Sequence, residues 1–535
     1  MYEDETADHR TSTCGNVKNY FREYCNCSSI HGFRYFGEKR THFERVWWFV
    51  VFSITLAACT ISIREVYKKW LRSPVIVSFA TKGTSIHSIP FPSVTICPET
   101  KSDQSLYSHT GVVRRNGQNL TEKEKKVLDY MGLICDENTN IKYSDTKFFT
   151  TDFYETIEEI NRGTNPFLKC FHMGNIENCS EIFKPIITDE GLCYSFNMLD
   201  RSEIFRDNVF IFSDYYKVDE LTHYNWSISG GYNESASLYP YPRRALLAGA
   251  QNSLTVLLKT NKKNLDYSCK TSVQGYRVSL HIPSRVPRPS QEYFRVPLDE
   301  VVLAAIQPDM INTDESVKLY NANRRECFFE YEKQLKYFKL YTNLNCHLEC
   351  LTNYTLHYCG CVDFFMPREN STNICGTGSL ECMKNAKTEY VLEDLRYKMK
   401  MNATKRHISE NIRGTSLTDC NCMPLCSDLS YNVETSQSYW NWKKTFEADI
   451  KNQSIVNPAD EFYISKLILF FKSSQFIPSK RHELYGPTDF LANFGGLLGL
   501  FTGFSILSFM EAIYFLTVRL CCNSRLYGYW AGPEK

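Results

Sequence analysis

The chain has 535 residues and carries 61 basic against 60 acidic side chains, so no net charge draws it to nucleic acid or to a strongly acidic substrate. That length allows several domains or one large elaborated one. Its 22 cysteines exceed what a reducing compartment tolerates without metal, and they point to an oxidised surface.

The first thirty residues are polar, with no apolar core beside a small-residue cleavage site, so no removable signal peptide is expected. The first apolar run is VWWFVVFSITLAACTISI, Val46 to Ile63, free of charge throughout. As a helix it rises about 27 Å, close to the hydrocarbon thickness of a bilayer. Arg45 and Arg64 bracket it, and Trp47 and Trp48 stand where an aromatic belt lies. A buried core helix is seldom apolar on every side for this length, so the run reads as a spanning signal anchor.

Beyond it, FPSVTIC (Phe91 to Cys97) and YRVSLHIP (Tyr276 to Pro283) are β-branched and proline-bounded, as strands are. Glu315 to Tyr341 and Thr388 to Arg413 are charged with periodic apolar residues and read as helical. FYISKLILFF, Phe462 to Phe471, is too short to span and is interrupted by Lys466, so it reads as a buried strand. No repeat at a period of roughly 20–50 residues is present.

The second apolar run, Phe490 to Val518, has Glu511 as its only charge. A straight helix of that length rises about 43 Å, so tilt, a break or projection must take up the excess. Two spans put both termini on one side. Basic residues flank both ends of the first span and do not orient it, but the intervening loop does. It holds eight Asn-x-Ser/Thr acceptors, at Asn119, Asn178, Asn225, Asn233, Asn353, Asn370, Asn402 and Asn452, together with sixteen cysteines. Both suit a glycosylated, oxidising exterior. The expected layout is a cytosolic N-terminus over 1–45, a span over 46–66, an extracellular domain over 67–487, a second span over 488–518 and a cytosolic C-terminus over 519–535. The fold class is a membrane protein whose two transmembrane helices flank a large disulfide-rich α+β ectodomain, strands central and helices peripheral.

From Cys346 to Cys426 the cysteines run C-x3-C-x8-C-x-C-x13-C-x6-C-x37-C-x-C-x3-C, through Cys350, Cys359, Cys361, Cys375, Cys382, Cys420 and Cys422. Cys346 with Cys350, and Cys422 with Cys426, stand four apart and would share helix faces, ready to cross-link adjacent rungs. Neither C-x-C closes on itself without strain. A zinc cluster would need paired C-x2-C spacing, which is lacking, so no metal and no cofactor are expected.

PFPSVTICPE (Pro90 to Glu99), GLCYSFN (Gly191 to Asn197), the cysteine ladder, CGCVDFFMP (Cys359 to Pro367) with ICG (Ile374 to Gly376), and GFS (Gly503 to Ser505) follow one another in order. Together they resemble the degenerin/epithelial sodium channel/acid-sensing superfamily, and the second span looks most like the insect pickpocket branch. The resemblance implies a cation-selective trimer of identical or related subunits in the plasma membrane. Such channels usually prefer Na+, are often blocked by amiloride, and answer an extracellular or mechanical stimulus. It places Cys97 and Cys193 among the disulfide cysteines, carries a gating role to His31-Gly32, and makes Gly503-Phe504-Ser505 the selectivity filter. Phe504 departs from the usual small middle residue. Asn493 stands where acid-sensing members carry an aspartate.

The residues themselves add a mechanism. Gly495, Gly499 and Gly503, with Gly496 beside them, lie along one helix face at four-residue spacing, which lets helices approach closely. A helix weakened at Gly503 to Ser505 could open and offer carbonyl oxygens to a central axis. Phe504 would turn into a neighbouring helix, and Glu511 belongs in a cytosolic vestibule, in a buried hydrogen-bonded site, or close enough to the cytosol to snorkel. Cys521-Cys522 beside the span invite palmitoylation, with a free cytosolic pair as the default reading. The chain lacks G-x-S-x-G, H-E-x-x-H and a phosphate-binding glycine loop, so an ectoenzyme is disfavoured. The remaining alternative is a two-pass glycosylated receptor or scavenger-type surface protein without conduction.

Overall fold

The computed structural model describes residues 13–72, 75–135, 141–218, 226–228, 230–232, 240–270, 273–404, 420–448, 461–484, 486–528 and 530–531. Asn225, Asn233, Asn452 and the end of the helix expected to Arg413 lie outside them. The longer helices are α1 (Thr13–Cys27), α2 (His42–Arg72), α3 (Glu122–Ile134), α4 (Asp152–Ile160), α5 (Asn343–Cys359), α6 (Leu380–Thr404), α7 (Pro487–Thr502), α8 (Ile506–Leu516) and α9 (Val518–Tyr527). The principal strands are β1 (Val75–Phe79), β2 (Ser93–Pro98), β3 (Phe167–His172), β4 (Asn175–Glu177), β5 (Phe183–Thr188), β6 (Gly191–Phe196), β7 (Leu254–Asn261), β8 (Tyr276–His281), β9 (Phe294–Val296), β10 (Glu300–Thr313), β11 (Asp428–Tyr439), β12 (Phe462–Phe471) and β13 (Ser479–Glu483). Packing divides the chain into a helical unit (1–76, 314–319 and 482–535) and a larger mixed unit (77–313 and 320–481).

The larger unit is mixed α/β. One sheet runs β9–β8–β2–β6–β5, antiparallel throughout. The other runs β1–β13–β10–β12–β7–β3–β4, with β11 also paired to β10, and its β10–β12 and β10–β13 pairs are parallel. β12 takes the bounds its sequence predicts. Leu467, Leu469 and Phe471 are buried at alternate positions, which is the period-2 signature of a pleated strand. Lys466, the residue that argued against a span, falls just before them on the other face. Val94, Ile96, Val256, Val278 and Leu467 belong to one continuous core.

All sixteen cysteines of this unit are paired. Cys97–Cys193 ties β2 to β6, Cys170–Cys179 ties β3 to the short helix Cys179–Ile182, and Cys135–Cys269 and Cys361–Cys375 staple further segments. Cys359–Cys382 closes the turn from α5 into α6, while Cys346–Cys422 and Cys350–Cys420 rise from one face of α5. Two expectations fail here. Cys422 and Cys426 share no helix face, because the chain from Cys420 to Cys426 is not helical, and Cys426 pairs instead with Cys327. Between Glu315 and Tyr341 only Glu315–Leu319 and Ala322–Arg325 are helical. Glu326 turns left-handed at φ 58°, and the Cys327 bridge fixes the chain that follows. The aromatic periodicity there belongs to an irregular segment, with Phe328 bridged to Leu425 and Phe338 to Phe205.

In the helical unit, two helical stretches are long and apolar enough to cross a membrane, His42–Leu71 and Ile506–Tyr527. Only 6% of the apolar window of α2 is buried within the chain. Phe43, Val46, Trp47, Phe49, Ile54 and Ile61 are all exposed, an arrangement that water would penalise and lipid would not. The second apolar run is not one straight helix. It breaks between α7 and α8 and again at Thr517, so the excess length is taken up by breaks.

Candidate pore and selectivity site

α7 begins at Pro487, where a missing N–H costs nothing, and the Gly486 N–H donates to Asp489 Oδ2 at 3.2 Å. Along α2, the Phe490 ring lies 5.3 Å from Trp70 and 6.3 Å from Tyr67. The helix ends at Thr502 because Gly503 adopts φ 66°, ψ 13°, a left-handed cap that glycine takes without strain. Ser505 then restarts it. Its Oγ accepts from the Ser508 N–H at 3.2 Å, and Ser508 Oγ accepts from the Ser505 N–H at 3.1 Å. Among the described residues, the carbonyls of Gly503 and Phe504 have no hydrogen-bond partner. Unpaired carbonyls are not tolerated against hydrocarbon, only where protein or water covers them.

The N-terminal segment reaches this break. The His31 N–H donates to the Thr502 carbonyl at 3.0 Å. A Cβ on Gly503 would stand 2.7 Å from His31 Cε1, so the imidazole lies against the cap. Gly32 takes φ 90°, Phe33 packs edge-on to Phe52, and Tyr35 stacks on Trp48 at 4.0 Å, which fixes the segment to α2. α1 is fixed to the end of α8 and the start of α9. The Tyr20 hydroxyl donates to the Phe515 carbonyl at 2.5 Å, Tyr24 packs on the Phe515 ring, and Glu23 pairs with Arg519.

Glu511 is hydrogen-bonded. Its Oε2 accepts from the Ser29 N–H at 3.1 Å and from the Ser29 hydroxyl at 3.0 Å. His31, Gly32, Gly503, Ser505 and Glu511 thus come together. Asn493, Gly495 and Gly496 stand apart from them, while the Gly499 carbonyl accepts from the Gly503 N–H at 2.9 Å; all four residues are exposed on α7. A Cβ added at any of the three glycines would meet nothing within 4 Å. The Asn493 amide donates to the Asp489 carbonyl at 2.8 Å. Phe504 is half-buried, and Cys521 and Cys522 are exposed on α9.

Sequence reasoning missed Ser29. The Ser505-x-x-Ser508 spacing is a capping signal that could have been read. Nothing local marks a serine two residues before His31 as a partner of the second span.

These features define a two-span membrane protein with a disulfide-rich domain between its apolar helices. The amiloride-sensitive sodium channel profile matches residues 24–515, and the chain belongs to that family, one of ion channels and not of enzymes. Pickpocket protein 28 of Drosophila melanogaster is 29% identical, with 98% of this chain and 82% of the relative covered. The sodium channel protein Nach of the same fly is 22% identical over 96% and 90%. The human bile acid-sensitive ion channel is 21% identical over 93% and 86%. The resemblance drawn from the motifs is borne out.

Proposed function

We propose that three copies of this chain, identical or with related subunits, form a sodium-selective, amiloride-sensitive channel with Gly503, Phe504 and Ser505 as the filter. The observation that carries this reading is the break itself, where two carbonyls lie unpaired in the middle of an apolar segment. Three such breaks around an axis would supply a ring of oxygens able to replace part of an ion's hydration shell. The bare glycine face of α7 supports close crossing of neighbouring helices above the filter, at Gly495, Gly496 and Gly499. His31-Gly32 acts as a gating element through its contact with the filter's cap. Glu511 adds negative charge on the cytosolic side.

The eight disulfides and the exposed sequons at Asn119, Asn178, Asn353 and Asn370 support an extracellular larger unit, both termini cytosolic, in the plasma membrane. That placement supports gating by an extracellular or mechanical stimulus. Expression in oocytes with ion substitution and an amiloride challenge tests the reading. An amiloride-blocked inward Na+ current supports it. Surface expression without current under any stimulus, and no access of water-borne thiol reagents to cysteines placed around residue 503, would leave a non-conducting surface protein.

A further inference from the structure

A cavity of about 290 Å³ opens in the larger unit between β5, β6 and the chain that leads into β7, at the small end of the range for ligand pockets. Its apolar lining is Ile182, Ile186, Phe196 and Leu199, all buried, with Val218 half-buried beside them. Tyr216 and Tyr241 contribute ring surface rather than hydroxyls. The Tyr216 hydroxyl donates to the Ile187 carbonyl at 2.6 Å, and that of Tyr241 to the Met198 carbonyl.

One wall is polar. Arg243 Nη1 donates to both oxygens of Glu177, each at 2.7 Å, and lies 3.5 Å from His172 Nδ1. Glu177 therefore takes one nitrogen of the guanidinium and leaves the other two. Among the described residues, Nε and Nη2 of Arg243 have no partner, and the side chain is 36% exposed. The guanidinium stands 5.8 Å from the ring of Phe196, which shares the lining. A planar fork of unspent N–H groups beside an apolar surface matches a carboxylate carried on an apolar body. Glu177 and Glu181 on the lining are balanced by Lys184 and Arg243, so no net charge repels an anion.

The backbone holds that wall in place. Asn197 Oδ1 accepts from the Arg243 N–H at 2.6 Å, and the Asn197 amide donates to the carbonyls of Arg243 at 3.0 Å and Phe91 at 2.6 Å. The Phe91 N–H donates to the Arg243 carbonyl at 2.8 Å. Only the arginine side chain is left to order when a ligand arrives, which lowers the cost of binding. We propose that this cavity binds a small organic carboxylate, its apolar body on Phe196 and Leu199 and its carboxylate on the Nε and Nη2 edge of Arg243. Binding requires no conduction, so the site stands apart from the channel reading above.

The test uses the full chain in lipid nanodiscs, with 4-phenylbutyrate as probe and 4-phenyl-1-butanol as its uncharged counterpart. Saturation-transfer difference NMR reads both against empty discs. Wild type should bind the carboxylate about tenfold more tightly than the alcohol, the margin one charge-assisted hydrogen bond supplies. Arg243→Gln should erase that margin. Arg243→Lys keeps a charge for Glu177 but has no fork, and should recover only part of it. Val218→Trp fills the cavity from its half-buried side and should remove both ligands at an unchanged unfolding midpoint. A wild type with no saturable signal above empty discs overturns the proposal. So does equal affinity for the two probes, or binding that survives Val218→Trp. Should Arg243→Gln fail to fold, the probe comparison in wild type and Val218→Trp decide the matter. The expected pattern in a chain that never conducts leaves the site standing and removes the channel reading instead.

Discussion

His31 closes the end of α7: its N–H takes the Thr502 carbonyl at 3.0 Å, and its ring rests where a Gly503 side chain would have to go. Two independent constraints therefore meet at one glycine. The left-handed φ disfavours any Cβ by roughly 1–2 kcal/mol, and the imidazole contact adds to that. Gly503→Ala should abolish most of the selective current while the protein still reaches the surface. His31→Ala removes the ring but keeps the backbone bond, so the double variant should recover part of the loss. The coupling is read by whole-cell current against biotinylated surface protein, and full additivity would show that the two residues act apart.

That contact marks the limit of what the sequence discloses. The stop at Gly503 and the restart at Ser505 are local: a glycine ends a helix and a serine caps one, wherever they occur. β12 is legible for the same reason, since alternation of Leu467, Leu469 and Phe471 is written in adjacent residues. The segment from Glu315 to Tyr341 misleads because its aromatics are buried by partners elsewhere, Phe205 and Leu425, while the left-handed Glu326 stops the helix. The approach of Ser29 and His31 to the second apolar run is a tertiary fact. A solvated His-Gly dipeptide and one pressed against the end of a helix have the same sequence.

Gly496 separates crowding within a chain from crowding between chains. A Cβ there meets nothing within 4 Å of its own chain, so a bulky side chain is tolerated by the isolated fold. In the proposed trimer, its effect then comes from neighbouring subunits whose α7 helices would cross at that level. Gly496→Phe should raise the resting cation current by holding the crossing apart. A channel that reaches the surface and stays silent places the gate elsewhere.

In the larger unit, Lys101 is a buried amine with too little compensation. Its Nζ donates to the Pro98 carbonyl at 2.7 Å, but its carboxylate, Glu190, lies 3.9 Å away and already binds Arg277 at 2.7 Å and Lys270 at 3.5 Å. Burial is the main cause that lowers its pKa from the ordinary 10.5 to about 8. Between these values the unfolded chain holds more protons than the folded one. Stability therefore falls as pH drops from about 10.5 to about 8 and carries the full penalty at neutral pH. Lys101→Met should raise the unfolding midpoint at pH 7 by a few degrees and flatten the rise across that alkaline window. Thermal unfolding of the detergent-solubilised chain at several pH values measures this. A lower midpoint at every pH would mean that the amine's hydrogen bond outweighs its desolvation.

Glu511 allows charge to be separated from hydrogen bonding. Glutamine keeps an oxygen for the two Ser29 donors but carries no charge, whereas alanine removes both. If the carboxylate attracts cations to the inner mouth, Glu511→Gln should reduce inward single-channel conductance, more strongly at low ionic strength where screening is weak, and leave the Na+/K+ ratio near that of wild type. Glu511→Ala should reduce conductance by a similar factor and lower the ratio as well, because Ser29 loses its acceptor beside the break. Single-channel recording in symmetric and bi-ionic Na+/K+ solutions distinguishes the two effects. Unchanged conductance in both variants would take the carboxylate out of the ion pathway and leave it only as the anchor for the N-terminal segment.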